Sequence, residues 1–204
     1  MNQKVKDYIN LLGIAGVIIA FDQWTKWLVH ENIEFGAQWL PAWLNWLMPY
    51  ARIVHWYNSG AAFGMFQSGG LIFTVLAFVV IGAIIYYYPH VEKEDWTLKL
   101  AMGLQLGGAS GNLIDRLLKG KVTDFISVGS FPVFNVADAS ITIGVLVLLL
   151  GVWLKDREEK GKVVSEQLSV ISDQSSVVSN QLTVDGEQLT VDGEQPSNTT
   201  EQEQ

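Results

Sequence analysis

No cysteine occurs among the 204 residues. A thiol nucleophile, a disulfide framework and a thiolate metal site are thereby excluded. Histidine is scarce, at three, and no HExxH pair is present, so no metal centre and no cofactor are expected. From residue 163 onward there is no basic side chain at all: eight acids stand there, whereas residues 1–162 carry thirteen acids and thirteen bases. The formal charge of −8 therefore resides in the tail. With no basic surface signalled in the main body, nucleic acid is not an expected partner.

What the chain does have is apolar mass: 49% of it is hydrophobic and eight residues are tryptophan, a composition of membrane proteins. A bilayer core about 30 Å thick needs roughly 20 mostly apolar residues of helix. Four stretches qualify, at about 8–29, 71–88, 96–118 and 136–154. Lys4 and Lys6 precede the first, but no small-x-small cleavage site follows it, so it reads as a retained span. Lys4, Lys6, Lys93, Lys99, Lys155, Arg157, Lys160 and Lys162 flank one side of these spans, against Lys26, Arg52, Arg116, Lys119 and Lys121 on the other. That bias favours both termini in the cytoplasm. The expected fold class is an all-α polytopic membrane protein with four transmembrane helices. Its outer loops are about 30–70 and the shorter one after Leu118.

Residues 163–204 form a tail apart from this 1–162 domain. Glutamine recurs there at 167, 174, 181, 188, 195 and 202, a period of seven. Gly186, Gly193 and Pro196 break helices and each unit offers little apolar surface, so a disordered, solvated cytoplasmic appendage is expected.

On this topology Asp22, Lys26, Asn58, Asn112, Asp115, Arg116, Asp124, Asn135 and Asp138 fall near one membrane surface. A charge at the centre of a span costs about 2.5–3.5 kcal/mol on insertion scales, so such groups should be paired, interfacial or functional. FDQWTK sets Asp22 and Lys26 four apart on one helical face, acid first, as an anchoring ion pair would be or as a brace for groups on neighbouring helices. NSGAAFG, 58–64, reads as a tight turn into a helix, or as one wall of a peptide groove. In GLQLGGASGNLIDR, Gly103, Gly107 and Gly111 make a small-residue stripe for close helix packing. Asn112 and Arg116 follow on one face, and arginine's planar fork suits peptide carbonyls or a carboxylate.

VTDFI reads as a short extended segment carrying Asp124. FNVAD carries Asp138 at the mouth of the last span, where a helix N-terminus alone would favour an anion by about 0.3–1 kcal/mol. That does not account for Asp124. Two nearby carboxylates that cannot both ionise readily can divide the work of peptide hydrolysis, one protonated and one activating water.

FDQWTK, NSGAAFG, GGASGNLIDR, VTDF and FNVAD, in this order and spacing over residues 1 to about 160, resemble the lipoprotein signal peptidase (signal peptidase II) family. The resemblance implies an aspartic endopeptidase of the bacterial cytoplasmic (inner) membrane. It would cleave prolipoproteins just before the diacylglyceryl-modified cysteine, at the extracytoplasmic face. It implies Asp124 and Asp138 as the catalytic dyad, with Asp22, Lys26, Asn58, Gly60, Asn112, Arg116, Asn135 and Ala137 lining or ordering the site and Asp115 structural. It also implies a small extracytoplasmic β cradle and a mobile element drawn from residues 30–70, membrane lipids as surroundings, and a monomer. Within that loop WLPAWLNWLMPY departs from the family pattern by its three tryptophans and heavy apolar content, which suit the membrane surface.

Two other readings differ in class. An intramembrane serine protease would use Ser110, but GASGN lacks the second glycine of a GxSxG elbow, and His30, His55 and His90 fall in loops or at a span's end. A transporter or channel would carry polar groups along the depth of its spans, whereas spans two and four are almost purely apolar below the outer rim.

Overall fold

The computed structural model describes residues 3–58 and 70–191. Gly60 and most of the NSGAAFG segment lie outside the described residues. Four helices appear where the apolar runs predict them: α1 Gln3–Asn32, α2 Gly70–Tyr87, α3 Trp96–Lys119 and α4 Val136–Val191. Among the described residues, stretches long and apolar enough to cross a membrane occur in two places, Gly70–His90 and Val136–Ser169. α1 and α3 are long enough too, at 30 and 24 residues, or about 45 and 36 Å at 1.5 Å per residue. Their apolar character is diluted by polar residues at both ends of α1 and towards the C-terminal end of α3.

The chain separates into two compact units, Met1–Val152 and Trp153–Gln204, a division earlier in α4 than the expected boundary at 162. In the first unit α3 is the central helix. Gly103, Gly107 and Gly111 lie along α1: a β-carbon at Gly103 would meet the Ile14 side chain at 2.8 Å, one at Gly107 the Ile18 Cβ at 2.6 Å, and one at Gly111 the Asp22 carboxylate at 2.7 Å. The stripe thus brings two backbones together as such stripes do in lipid. Gly108 performs the same service toward α4, against the Ala137 carbonyl and Ser140 hydroxyl at 2.5 Å. Toward the other end Leu11, Ala15, Ile84, Tyr88, Met102 and Leu106 form an apolar core. The outward faces of α1, α2 and α4 are richly apolar, with Val17, Leu71, Val79 and Leu149 among the exposed residues. Such a surface suits contact with lipid.

α3 is delimited by local chemistry. Asp95 caps its first turn by accepting the Leu98 N–H at 3.1 Å, and Gly120 ends it in the left-handed region at φ 71°. That turn feeds β3 (Val122–Val128) of a three-stranded antiparallel sheet ordered β1-β2-β3, with β1 Gln38–Trp39 and β2 Ala51–Asn58. The expected β cradle is therefore present, but its third strand is the VTDFI segment and not part of 30–70. An irregularity between Ile53 and Trp56 inserts one extra residue on β2: Ile53 faces Ile126, yet Trp56 faces Asp124. Bulges of this kind re-aim side chains. The WLPAWLNWLMPY stretch spans the gap between β1 and β2 and forms a 3-10 turn at Ala42–Leu47. Trp43 and Trp46 are 75% and 70% exposed.

The second unit corrects an expectation. Disorder was expected from residue 163, but helix continues through Val191. Val163, Val164, Leu168 and Ile171 are exposed, and the side-chain bonds there are local, Ser165 donating to the Lys162 carbonyl and Ser169 to the Glu166 carbonyl at 2.8 Å.

Candidate active site

Eight of the nine polar residues assigned to one level are joined by direct contacts, Arg116 being the exception. The deepest part is an ionic cluster between α1 and α3. Lys26, Asp22 and Asp115 are fully buried; the Lys26 ammonium lies 2.7 Å from Asp22 Oδ2 and 3.1 Å from Asp115 Oδ2. Buried charges survive only when paired and hydrogen-bonded, and each member here makes further bonds. Asp22 Oδ1 accepts the Ala137 N–H of α4 at 2.9 Å, Lys26 donates to Asn112 Oδ1 at 3.1 Å, and Asp115 Oδ2 accepts the Thr123 N–H at 3.1 Å. The Asp22–Lys26 pair is thus both the ion pair and the brace that its spacing allowed.

The FNVAD segment is a reciprocal helix cap. Asn135 Oδ1 accepts the Asp138 N–H at 3.0 Å and Asp138 Oδ2 accepts the Asn135 N–H at 3.2 Å. With Ala137 held by Asp22, the N–H groups of Ala137 and Asp138 in the first turn of α4 are satisfied by side chains, the second as in a capping box. Asp138 is therefore fixed by the start of its own helix. Its other oxygen accepts Asn112 Nδ2 at 2.7 Å.

Asp124 arrives from β3. It is 1% exposed, accepting Asn135 Nδ2 on Oδ1 at 2.7 Å and Asn58 Nδ2 on Oδ2 at 3.0 Å. Burial, and secondly the Asp138 carboxylate, push its pKa up to about 7, against the hydrogen bonds from Asn58 and Asn135. Asn135 Nδ2 also approaches Asn112 Oδ1 at 3.0 Å and the Thr123 carbonyl at 3.2 Å. One amide thus ties α3, β3 and α4 together beside two carboxylates.

Arg116 is half-buried, its guanidinium 5.7 Å above the Phe73 ring of α2. Thr123 and Gln23 were not singled out in the sequence. Thr123 takes part through its backbone, which no residue-type pattern signals; Gln23, beside Asp22 in FDQWTK, bonds the Gly111 carbonyl at 3.2 Å and Asp22 at 3.1 Å. Each histidine has a partner other than Ser110: His30 meets Thr123, His55 the Ile33 carbonyl and His90 the Tyr86 carbonyl. Among the described residues no three His, Asp or Glu side chains converge as a metal site requires. An apolar cavity of about 450 Å³ between α1 and the sheet, lined by Leu28, Val29, Ile33, Trp39, Ile53 and Phe125, holds none of the carboxylates.

The arrangement supplies a protonatable buried acid, a second carboxylate at a helix N-terminus, and rigid amides that fix both. Comparison with known proteins points the same way. The family described as Signal peptidase (SPase) II matches residues 14–154. The lipoprotein signal peptidase of Shouchella clausii is 45% identical over 148 residues, covering 72% of this chain and 95% of the relative. That of Listeria monocytogenes serovar 1/2a is 38% identical over 160 residues, covering 76% and 98%. A solved bacterial membrane enzyme, 30% identical, superposes with a TM-score of 0.62 over 72% of this chain and 88% of its own. Motif order, site geometry and these matches agree: the chain belongs to the signal peptidase II family.

Proposed function

We propose that this protein removes signal peptides from prolipoproteins by acid–base hydrolysis, with Asp124 and Asp138 as the dyad and the bond preceding the diacylglyceryl-modified cysteine as its target. The observation that carries the proposal is the pair of asparagines between the carboxylates: Asn135 donates to both and Asn112 to Asp138. Such fixed geometry is what positioning two proton-transfer groups about one water requires.

Asp124, buried and raised to about 7, holds the proton in this reading. Asp138, at the third helical position of α4, is the anion, where the helix macrodipole and the Lys26 charge behind Asn112 favour negative charge. The Asp138 carboxylate takes a proton from water as the water oxygen attacks the scissile carbonyl carbon, and Asp124 gives its proton to the carbonyl oxygen. On collapse of the tetrahedral intermediate, Asp138 returns its proton to the leaving amine nitrogen and Asp124 recovers one from the hydroxyl. Two carboxylates with unequal environments divide the roles in this way. Arg116 and Asn112 hold substrate backbone, Asn58 steadies Asp124 and Gly60 lines the site, while Asp22, Lys26 and Ala137 brace the helix that carries Asp138.

Four spans with both termini in the cytoplasm place this site at the outer surface of the inner membrane, a reading supported by the distribution of lysine and arginine. The signal peptide helix then lies among the spans and the diacylglyceryl chains stay in the bilayer. The catalytic domain is 1–162, it acts as a monomer amid membrane lipids, and 163–204 is a dispensable cytoplasmic appendage. Cleavage of a diacylglyceryl-modified prolipoprotein, beside its unmodified form, by purified protein tests the reading. Processing of the modified form alone is expected; processing of both would remove the lipid from recognition.

A further inference from the structure

A second polar cluster, outside the dyad, sits where the end of α1 meets the cradle. His30 Nε2 is 3.1 Å from the Thr123 hydroxyl and 3.3 Å from the Lys119 ammonium. An ammonium can only donate, so Nε2 is the unprotonated ring nitrogen and the proton is on Nδ1, 3.5 Å from the Tyr57 hydroxyl. Lys119 is shared, since its nitrogen also lies 3.2 Å from Asp115 Oδ1. The other oxygen of Asp115 holds the backbone N–H of Thr123. Thr123 is consequently gripped twice, by hydroxyl and by N–H, immediately before Asp124.

We propose that His30 is a positioning residue: with Nε2 unprotonated it accommodates the Lys119 ammonium and so keeps Lys119 on Asp115 and the Asp115–Thr123–Asp124 chain in place, whereas proton uptake leaves Nε2–H able to bond only the Thr123 hydroxyl and expels Lys119. The inference rests on Asp124 being catalytic, as argued above. A proton on Nε2 would set two cations 3.3 Å apart, and the Lys119 side chain, 34% exposed, can turn to solvent and leave Asp115 with one fewer partner. The groups facing His30 are Lys119 and Asp115 from α3, His55 and Tyr57 from β2, and its own neighbour Glu31. Lys121, ahead of β3, is turned away onto the Tyr57 ring at 3.5 Å. Burial first, then Lys119 and His55, lower the His30 pKa below its ordinary 6.5, against the opposing pull of Asp115 and Glu31. The latch is therefore closed at neutral pH and opens in acid.

Two readouts test this. Imidazole NMR of the purified full chain should show His30 titrating below 6.5, and Lys119→Met should move that titration upward. In prolipoprotein cleavage, wild-type kcat should fall between pH 7 and 5.5 by about three- to tenfold more than that of His30→Gln, which keeps a neutral hydrogen-bonding group, with KM alike in both. A His30 titration unmoved by Lys119→Met, or a His30→Gln profile matching wild type, would overturn the proposal. If no form of the folded enzyme cleaves at any pH, the hydrolase reading is what fails, and the NMR titration still decides whether Lys119 governs His30.

Discussion

Asn135 Nδ2 stands 2.7 Å from Asp124 Oδ1, so the residue that caps α4 also fixes the acid on β3. Because the same residue donates its backbone N–H to Asp138, the separation of the two carboxylates is set by one asparagine. Asn135→Ala should lower kcat for prolipoprotein cleavage by about 100-fold with KM little changed, since positioning errors of this kind act on the chemical step. Loss of the cap adds about 1 kcal/mol of destabilisation. Steady-state kinetics separates the two effects.

Lys26 neutralises two buried carboxylates at once. Lys26→Met leaves Asp22 and Asp115 buried without their shared cation and should cost about 3–5 kcal/mol. Asp22→Asn, which keeps an oxygen for the Ala137 N–H, should cost less. Thermal unfolding of both variants in one detergent should rank them in that order.

Close approach of α1 and α3 depends on Gly107. A β-carbon there would meet Ile18 Cβ at 2.6 Å and the Ala15 carbonyl at 3.1 Å, and backbone cannot step aside. Gly107→Ala should destabilise by about 1–3 kcal/mol. Gly120→Ala, a change with open space around it but at φ 71°, should act through backbone strain at the end of α3 instead, by about 1 kcal/mol.

The raised pKa of Asp124 has a sign that can be checked. Between its ordinary 3.8 and about 7, the folded protein holds a proton that the unfolded chain has released. Stability therefore falls as pH rises across that window, and the penalty is complete above it. Asp124→Asn removes the ionisation and should raise the unfolding temperature at pH 8, by roughly 1–2 kcal/mol of stability, with the advantage gone by pH 4. Since Asp124 must be protonated to act as the acid, wild-type kcat/KM should decline above about pH 7.

Truncation after Lys162 should leave cleavage within about twofold of the full chain at equal expression, because the residues just beyond it are exposed and their side-chain bonds stay within the helix, Ser165 to the Lys162 carbonyl and Ser169 to the Glu166 carbonyl. A large loss would give the tail a part in catalysis or substrate delivery.

Much of this architecture was legible because the bilayer imposes a simple rule. Runs of apolar residues became helices near their expected bounds, except that α4 runs on to Val191, and of the polar residues near the spans all but Arg116 converged. Asp22 with Lys26 could be paired from spacing alone, since an i+4 relation fixes a face; the cap between Asn135 and Asp138 emerged only with the structure. The joining of VTDFI to β2 is different: it depends on a contact between Asp124 and Trp56, 68 residues apart in sequence (124 − 56), and on a bulge that no local pattern announces. Thr123 escaped notice for a related reason, because its backbone and not its side chain meets Asp115. The tail departs from its expectation at Gly186, which disfavours helix by about 1 kcal/mol yet stands inside α4; Gly193 and Pro196 lie outside the described residues.

Cleavage of a diacylglyceryl-modified prolipoprotein by purified wild type, Asp124→Asn and Asp138→Asn, each shown to be folded, tests the central claim most directly. The account predicts processing by wild type and a loss of at least about 1000-fold in both variants, the scale on which removal of an essential proton-transfer group acts. Undiminished cleavage by either variant would contradict it.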